Sequence, residues 1–303
     1  MAAGDPTSGR EWMARSSAAP PRVSIITVNR NNAAGLAKTL DSVRIQTFRD
    51  FEHIVIDGGS TDGSVDEIRA REDGLVYWVS EPDAGIYNAM NKGLRRARGE
   101  YVQFLNSGDW LYDPQVLERV FPNPPFGEDL LYGDYWMYVS PEISWVIRTP
   151  DCLALSQFHG KSILCHQATF YRRALFDELG LYNEKNQLVS DWEFNIRALL
   201  ANKTARHLPY PLVGYQRGGR SVAEADLSLA EQAAIFKQLI PDAVRGDYER
   251  LQFLEKEYRR LKDIENWILQ IKRRNVFVNF AMMTGWFLTR KGWVAGRKEG
   301  GKP

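Results

Sequence analysis

Three times before residue 109, a short apolar run rich in β-branched residues ends in a polar turn and gives way to helical spacing. Val23–Val28 (VSIITV) runs into Asn29-Arg30-Asn31-Asn32, a loop suited to capping a helix, and Leu36, Leu40 and Val43 then mark one helix face. Phe51–Ile56 ends in Asp57-Gly58-Gly59-Ser60-Thr61-Asp62-Gly63, where Asp62 suits a helix cap for the segment carrying Val65 and Ile68. Leu75–Val79 is a third strand and leads into SEPDAGIYNAMNKGLRRARGEYVQFLNSGD, residues 80–109. There Ile86, Met90, Leu94 and Ala97 share a helix face, and Gly99 stands where a left-handed stop is expected. Tyr101–Leu105 is then a buried strand. Continuous apolar strands need cover on both faces. Alternation of strand and helix with short links makes right-handed crossovers. The expected fold class is α/β, a Rossmann-like, mainly parallel sheet flanked by helices.

That topology has a chemical consequence. Asn29, Asp57, Glu81, Asp83 and Asp109 all fall at or just beyond carboxyl ends of strands, the edge where open α/β sheets bind ligands. Taken singly, each has a plainer reading. Asp57 before Gly-Gly is a turn, Asp109 a solvated loop residue, and Lys92 with Arg95 a wet helix face. Their convergence on one edge is the signal.

Beyond the Pro-rich segment Phe121–Phe126 the pattern changes. Leu130–Val139 and Ile143–Arg148 read as an antiparallel pair rich in Tyr and Trp, suited to sugar rings or to an ordinary core. Cys165 and His166 lack a partner pair at zinc spacing. Ser190 and Glu193 match a capping box, which accounts for Glu193. Asp191 is left as the candidate for chemistry, at a helix N-terminus that depresses its pKa. A strand through Tyr210–Val213 leads to Arg217-Gly218-Gly219-Arg220, either a phosphate-binding turn or a plain one.

At 303 residues with 44% apolar and 25% charged residues, the chain can bury a large core. Its net charge of +1 hides an asymmetry: from Arg245 onward 14 Lys/Arg face 7 Asp/Glu, a local +7 that leaves −6 before it. Ile264, Trp267, Ile268 and Ile271 form an apolar stripe, followed by Lys272-Arg273-Arg274 and the apolar Val276–Leu288. That run is shorter than the roughly 20 residues a bilayer span needs. The tail fits an anionic membrane surface; packing on the preceding domain is the other reading, and no nucleic-acid partner is expected. Residues 1–21 have no apolar core of a signal peptide, so a disordered leader and a cytoplasmic location, peripheral on the inner face of the plasma membrane, are expected. Cys152 and Cys165 make no disulfide framework, although one bridge between them is open.

The blocks VSIITVNRN, VIDGGSTDGS, SEPDAGIYNAMNKGLRRARGEYVQFLNSGD, CHQATFYRR and SDWEF, in this order from Val23 to Ser221, resemble family 2 glycosyltransferases of the GT-A fold. They are similar to bacterial members that build cell-surface polysaccharide. The resemblance implies inverting transfer of a sugar from a nucleotide-sugar donor, usually UDP-linked, to a hydroxyl of a glycan or lipid-linked acceptor. By it, Thr27, Val28 and Asn29 meet the nucleotide base, and Asp57 binds the uracil or its ribose. Asn106-Ser107-Gly108-Asp109 stands for an Asp-x-Asp-type motif, so Asp109 is the one acid there to hold Mg²⁺ or Mn²⁺, beside Asn106. Asp191 matches the acid that activates the acceptor. Lys92, Arg217 and Arg220 are weaker candidates for phosphate contacts. The implied domains are the leader (1–21), a transferase domain (22–222) and a helical basic and apolar tail (223–303). The transferase domain divides into a nucleotide-sugar half (22–120) and an acceptor half (121–222). A catalytically inactive sugar-nucleotide-binding relative and a nucleotidyltransferase are the alternatives. The latter normally shows a Gly-rich phosphate loop after the first strand, which Asn29-Arg30-Asn31 is not.

Overall fold

The structure is a computed structural model describing residues 19–158, 163–218 and 223–295, with side chains through 272. The expected leader, residue Arg220 and the side chains of Val276–Leu288 therefore lie almost wholly or entirely outside the described residues. The alternation is realised as β1 (Val23–Asn29), α1 (Ala33–Arg44), β2 (Phe51–Asp57), α2 (Ser64–Arg69), β3 (Tyr77–Ser80), α3 (Ile86–Leu94) and β4 (Tyr101–Phe104). These strands lie in the order β3-β2-β1-β4, all parallel. Every residue of β1 is buried, as a strand covered on both faces requires. Its alternate side chains feed two cores. Ile26 and Val28 join Ile54, Met90 and Phe104, whereas Val23 and Ile25 join Val43, Tyr101 and Val116.

Past Phe104 the sheet becomes mixed. β5 (Trp110–Leu111), α4 (Val116–Val120), β6 (Leu130–Ser140), β7 (Ile143–Ile147), β8 (Thr169–Arg172), α5 (Ala174–Leu179), α6 (Ser190–Leu200) and β9 (Ala205–Gln216) follow. β8 is antiparallel to both β4 and β6, and so joins the two halves into one sheet. β6 and β7 form the expected antiparallel pair. β9 runs parallel to β6 and is longer than the Tyr210–Val213 core visible in the sequence. Beyond β9, α7 (Ala225–Leu239) buries Ile235 and Phe236. The chain divides into compact units after Pro241, later than the expected boundary at 222, so α7 belongs to the first unit. The second unit is built on α8 (Asp242–Ala295), where Ile264, Trp267, Ile268 and Ile271 are exposed.

Three local expectations change. Gly99 does not adopt positive φ; a Cβ there would lie 2.4 Å from the Ser24 backbone nitrogen, so close packing demands the glycine. The capping box is not formed. The Ser190 hydroxyl donates to the Asn183 carbonyl (2.6 Å), and Glu193 accepts from Asn186 Nδ2 (2.6 Å) instead. Cys152 and Cys165 are both free.

Two buried polar contacts set the chemistry of the central strands. Glu52, 2% exposed, accepts from the Ser24 hydroxyl and from the backbone and guanidinium of Arg98, tying β1 and β2 to the turn before β4. His53 Nε2 lies 2.9 Å from Thr27 Oγ1, and burial pushes the ring's pKa down to about 3. Its folded value is below the unfolded one, so the folded state binds fewer protons between about pH 3 and 6.5. Stability is therefore lost as pH falls through that window, by up to about 4 kcal/mol. We expect His53→Gln to flatten the pH dependence of urea unfolding between pH 4 and 6.5; an unchanged slope would assign the acid sensitivity elsewhere.

Candidate active site

The parallel strands end in step. Asn29 pairs with Asp57 in register, and Asp57 with Ser80. Asp57 is fully buried and accepts four hydrogen bonds, from Asn29 Nδ2 (2.7 Å), Ser60 Oγ (2.5 Å), Ser60 N (2.9 Å) and Ser80 Oγ (2.6 Å). It thus binds three strand ends together. A direct nucleotide contact through its carboxylate, the role the resemblance implies, requires displacing one of these donors. Thr27 is corrected: its hydroxyl is buried against His53. Val28 packs in the core, and its carbonyl accepts from Ser107 N. Lys92 is no free phosphate ligand, because its ammonium lies 2.7 Å from both Glu81 and Asp83 carboxylates. Asn29 remains at the edge, with its buried Oδ1 lacking a partner.

The 106–109 turn is held from α1. Asn32 caps that helix through Gly35 N (3.2 Å) and donates from Nδ2 to the Ser107 carbonyl (3.1 Å). The Thr39 hydroxyl donates to the Asp109 carbonyl (2.6 Å), and Gly108 N donates to Thr39 Oγ1 (3.0 Å). Gly108 has φ +103, open to glycine and strained for other residues. Asp109 itself is 5% exposed. Its Oδ1 accepts from Gln216 N and its Oδ2 from Gln167 Nε2, both at 2.9 Å. Burial nevertheless raises its pKa to about 6, against the pull of the Gln216 N–H, His166, the Gln167 amide and Lys38.

Asp191, on the first turn of α6, has the opposite balance. Burial pushes its carboxyl up, but His166 and the Tyr87 hydroxyl outweigh it, and the net shift is below the ordinary carboxylate value. Tyr87 Oη donates to Asp191 Oδ1 (2.8 Å), and His166 Nδ1 lies 3.1 Å from Oδ2. The helix is anchored by Phe194, which stacks on Phe176 at 4.3 Å between centroids. Asn106 Nδ2 approaches His166 Nε2 at 3.2 Å.

These groups share one cleft of about 590 Å³, lined by Asn106, Asp109, His166, Asp191, Tyr215 and Arg217 among others. The structure thus brings Asn106, Asp109, Asp191 and Arg217 together, with Asn29 and Asp57 at neighbouring strand ends. It keeps Thr27, Val28 and Lys92 apart. Tyr87, His166 and Gln167, which contact the two acids, were not among the candidates from sequence; His166 and Gln167 stand side by side in CHQATF, and Tyr87 lies in the 80–109 block.

A model of the family described as Glycosyl transferase family 2 matches residues 24–180. The chain belongs to that family. The PGL/p-HBAD biosynthesis glycosyltransferase of Mycobacterium bovis is 39% identical over 184 residues, 59% of this chain and 70% of that protein. An uncharacterized glycosyltransferase of Mycobacterium tuberculosis is 37% identical over 188 residues, with the same coverage. Among solved structures, S. aureus TarS 1–349 in complex with UDP-GlcNAc is 20% identical with a TM-score of 0.56, over 70% of this chain and 66% of that one. Mannosyltransferase PcManGT from Pyrobaculum calidifontis, in complex with GDP-Man and Mn²⁺, gives 20% and 0.52 over 71% and 64%. The likeness to both is one of fold, the GT-A arrangement, and the chain spans less than two thirds of the PcManGT chain.

The raised value of Asp109 has a stability consequence. Its folded pKa of about 6 exceeds the ordinary 3.8, so its stabilising protonated form is present at low pH and lost as pH rises through 6. This costs the metal-free protein up to about 3 kcal/mol at pH 8. Asp109→Asn removes the charge. In chelator, its thermal midpoint should exceed wild type at pH 8 and match it near pH 4; equal midpoints at both would show that the buried charge is not costly.

Proposed function

We propose that the chain is an inverting glycosyltransferase that moves a sugar from a UDP-sugar to a hydroxyl of a glycan or lipid-linked acceptor, in cell-surface polysaccharide synthesis. The observation that carries this reading is the pair of carboxylates on one cleft with pKa values displaced in opposite directions. Such a split assigns different tasks to chemically identical groups. Asp191 stays ionised and is held by two donors, the state a general base requires. Asp109 is a desolvated anion in want of a cation.

The residues present fit a divalent ion. Asp109 faces the cleft, and each of its oxygens has only one hydrogen-bond donor. One protein carboxylate with diphosphate oxygens and water makes a reasonable Mg²⁺ shell. When bound, the ion would offset the negative charge of the departing diphosphate. Asp191 takes the proton from the acceptor hydroxyl as that oxygen bonds to the anomeric carbon and the carbon–diphosphate bond breaks. A single displacement inverts the anomeric configuration and needs no Ser or Cys nucleophile. Cys165 fits none: burial drives its thiol pKa up. Arg217 stands at the cleft as a counter-charge for phosphate. Tyr135, Met137 and Tyr215 also line the cleft, apolar surface against which a sugar face or lipid portion can rest.

Screening UDP-sugars by UDP release, with a whole-cell lipid fraction as acceptor and Mg²⁺ or Mn²⁺ present, tests the reaction. Asp191→Asn and Asp109→Ala should each lower turnover by at least about 10²-fold, and chelation should abolish it. Nucleotide binding without any turnover in wild type would favour the inactive-relative reading instead. Full activity in Asp191→Asn would move the base to another residue.

The tail has a separate role in this reading. No helix among the described residues is long and apolar enough to cross a membrane, yet the basic helix presents exposed Ile264, Trp267 and Ile268. Such a segment fits an interfacial anchor on anionic lipid. Deleting residues 264–303 should release the protein from anionic liposomes in a sedimentation assay; undiminished binding would overturn this role.

A further inference from the structure

Neither ring nitrogen of His166 is idle. Nε2 lies 3.2 Å from Asn106 Nδ2, an amide nitrogen that only donates. Nε2 is therefore the acceptor, and the ring proton belongs on Nδ1, 3.1 Å from Asp191 Oδ2. The ring sits on a short turn, His166–Ala168, that cannot drift freely. Its Gln167 carbonyl accepts from Gln103 Nε2 (2.7 Å), and the Gln167 side chain donates to Asp109 (2.9 Å).

Tyr87 Oη donates to Oδ1, the Trp192 backbone N–H also donates to the carboxylate, and the His166 ring faces Oδ2. Two donors on different oxygens fix its plane. We propose that His166 is a positioning residue for the transfer reaction, its Nδ1–H holding Asp191 Oδ2 so that the carboxylate presents its remaining lone pairs to the acceptor hydroxyl. This rests on the reading of Asp191 as the base. Two other roles fit the geometry less well. As the base itself, or as a metal ligand, the ring would need a free lone pair; Nε2 is occupied by Asn106 and Nδ1 is turned to Asp191.

The competing arrangement is specific. Asn106 Oδ1 is buried without a partner. Turning that amide over would pair Oδ1 with a protonated Nε2 and make the ring a cation. Imidazole ¹⁵N–¹H correlation spectra of the labelled full chain at neutral pH separate the two, the His166 ring being assigned by its loss in His166→Asn. The expected result is a proton on Nδ1 and none on Nε2. A proton on Nε2 with none on Nδ1 overturns the proposal; protons on both keep Nδ1–H against Asp191 Oδ2 and support it.

Kinetics supply the second arm. Asparagine at 166 keeps an N–H donor near the place of Nδ1, whereas leucine keeps only bulk. His166→Asn should retain kcat within about tenfold. His166→Leu should lose about 10²-fold with little change in donor KM, the scale expected when a reacting group is misplaced by about 1 Å. Equal losses in both overturn the proposal. Absence of turnover in wild type with every donor would count against the proposed reaction, while the ring tautomer is read independently of it.

Discussion

The enclosure of Asp109 is the contact on which the two halves of the domain converge. Its backbone carbonyl accepts from Thr39 on α1, one carboxylate oxygen from Gln216 at the end of β9, and the other from Gln167 before β8. Segments more than 100 residues apart thereby meet on one side chain. The parallel strands come first in the chain and the mixed strands later, so the acid can be enclosed only when both are in place. Desolvation is the cost of that arrangement, and it makes the site eager for positive charge.

Asp191 solves the reverse problem. In the proposed reaction it is the base, which must stay ionised in a cleft that excludes much of the water. Tyr87 comes from α3, among the parallel strands, and His166 from the link before β8. Their donors replace water at the two oxygens without supplying a full opposite charge from a lysine or arginine. Fixed dipoles of this kind hold an anion yet leave it able to accept a proton, which a tight guanidinium pair would oppose.

The fold was legible wherever a short-range pattern implied it. Runs such as VSIITV and FEHIVI can be buried only in a sheet covered twice, and their polar turns then fall on one edge without further information. Asp109 and Asp191 followed from that edge and from the resemblance to a known family. What was not legible depends on partners distant in sequence. Thr27 looked available until His53 was seen beside it, and Lys92 until Glu81 and Asp83 closed on it. Glu193 matched a local cap motif, yet Asn186 was nearer. β8 is only four residues long, too short for a period to declare itself. In each case a tertiary hydrogen bond outcompeted the local pattern, as it does wherever a polar group is buried and must be paired.

Asn106 opens the turn that ends at Asp109, and its amide meets the His166 ring. A carboxylate beside His166 Nε2 would favour a proton on that nitrogen and hold the ring as a cation against Asp191. The amide nitrogen instead lies 3.2 Å from Nε2, and Asp191 is held by the His166 ring, the Tyr87 hydroxyl and the Trp192 backbone N–H. A single imidazole thus links the 106–109 turn to Asp191, so a change at Asn106 is felt at that carboxylate through His166.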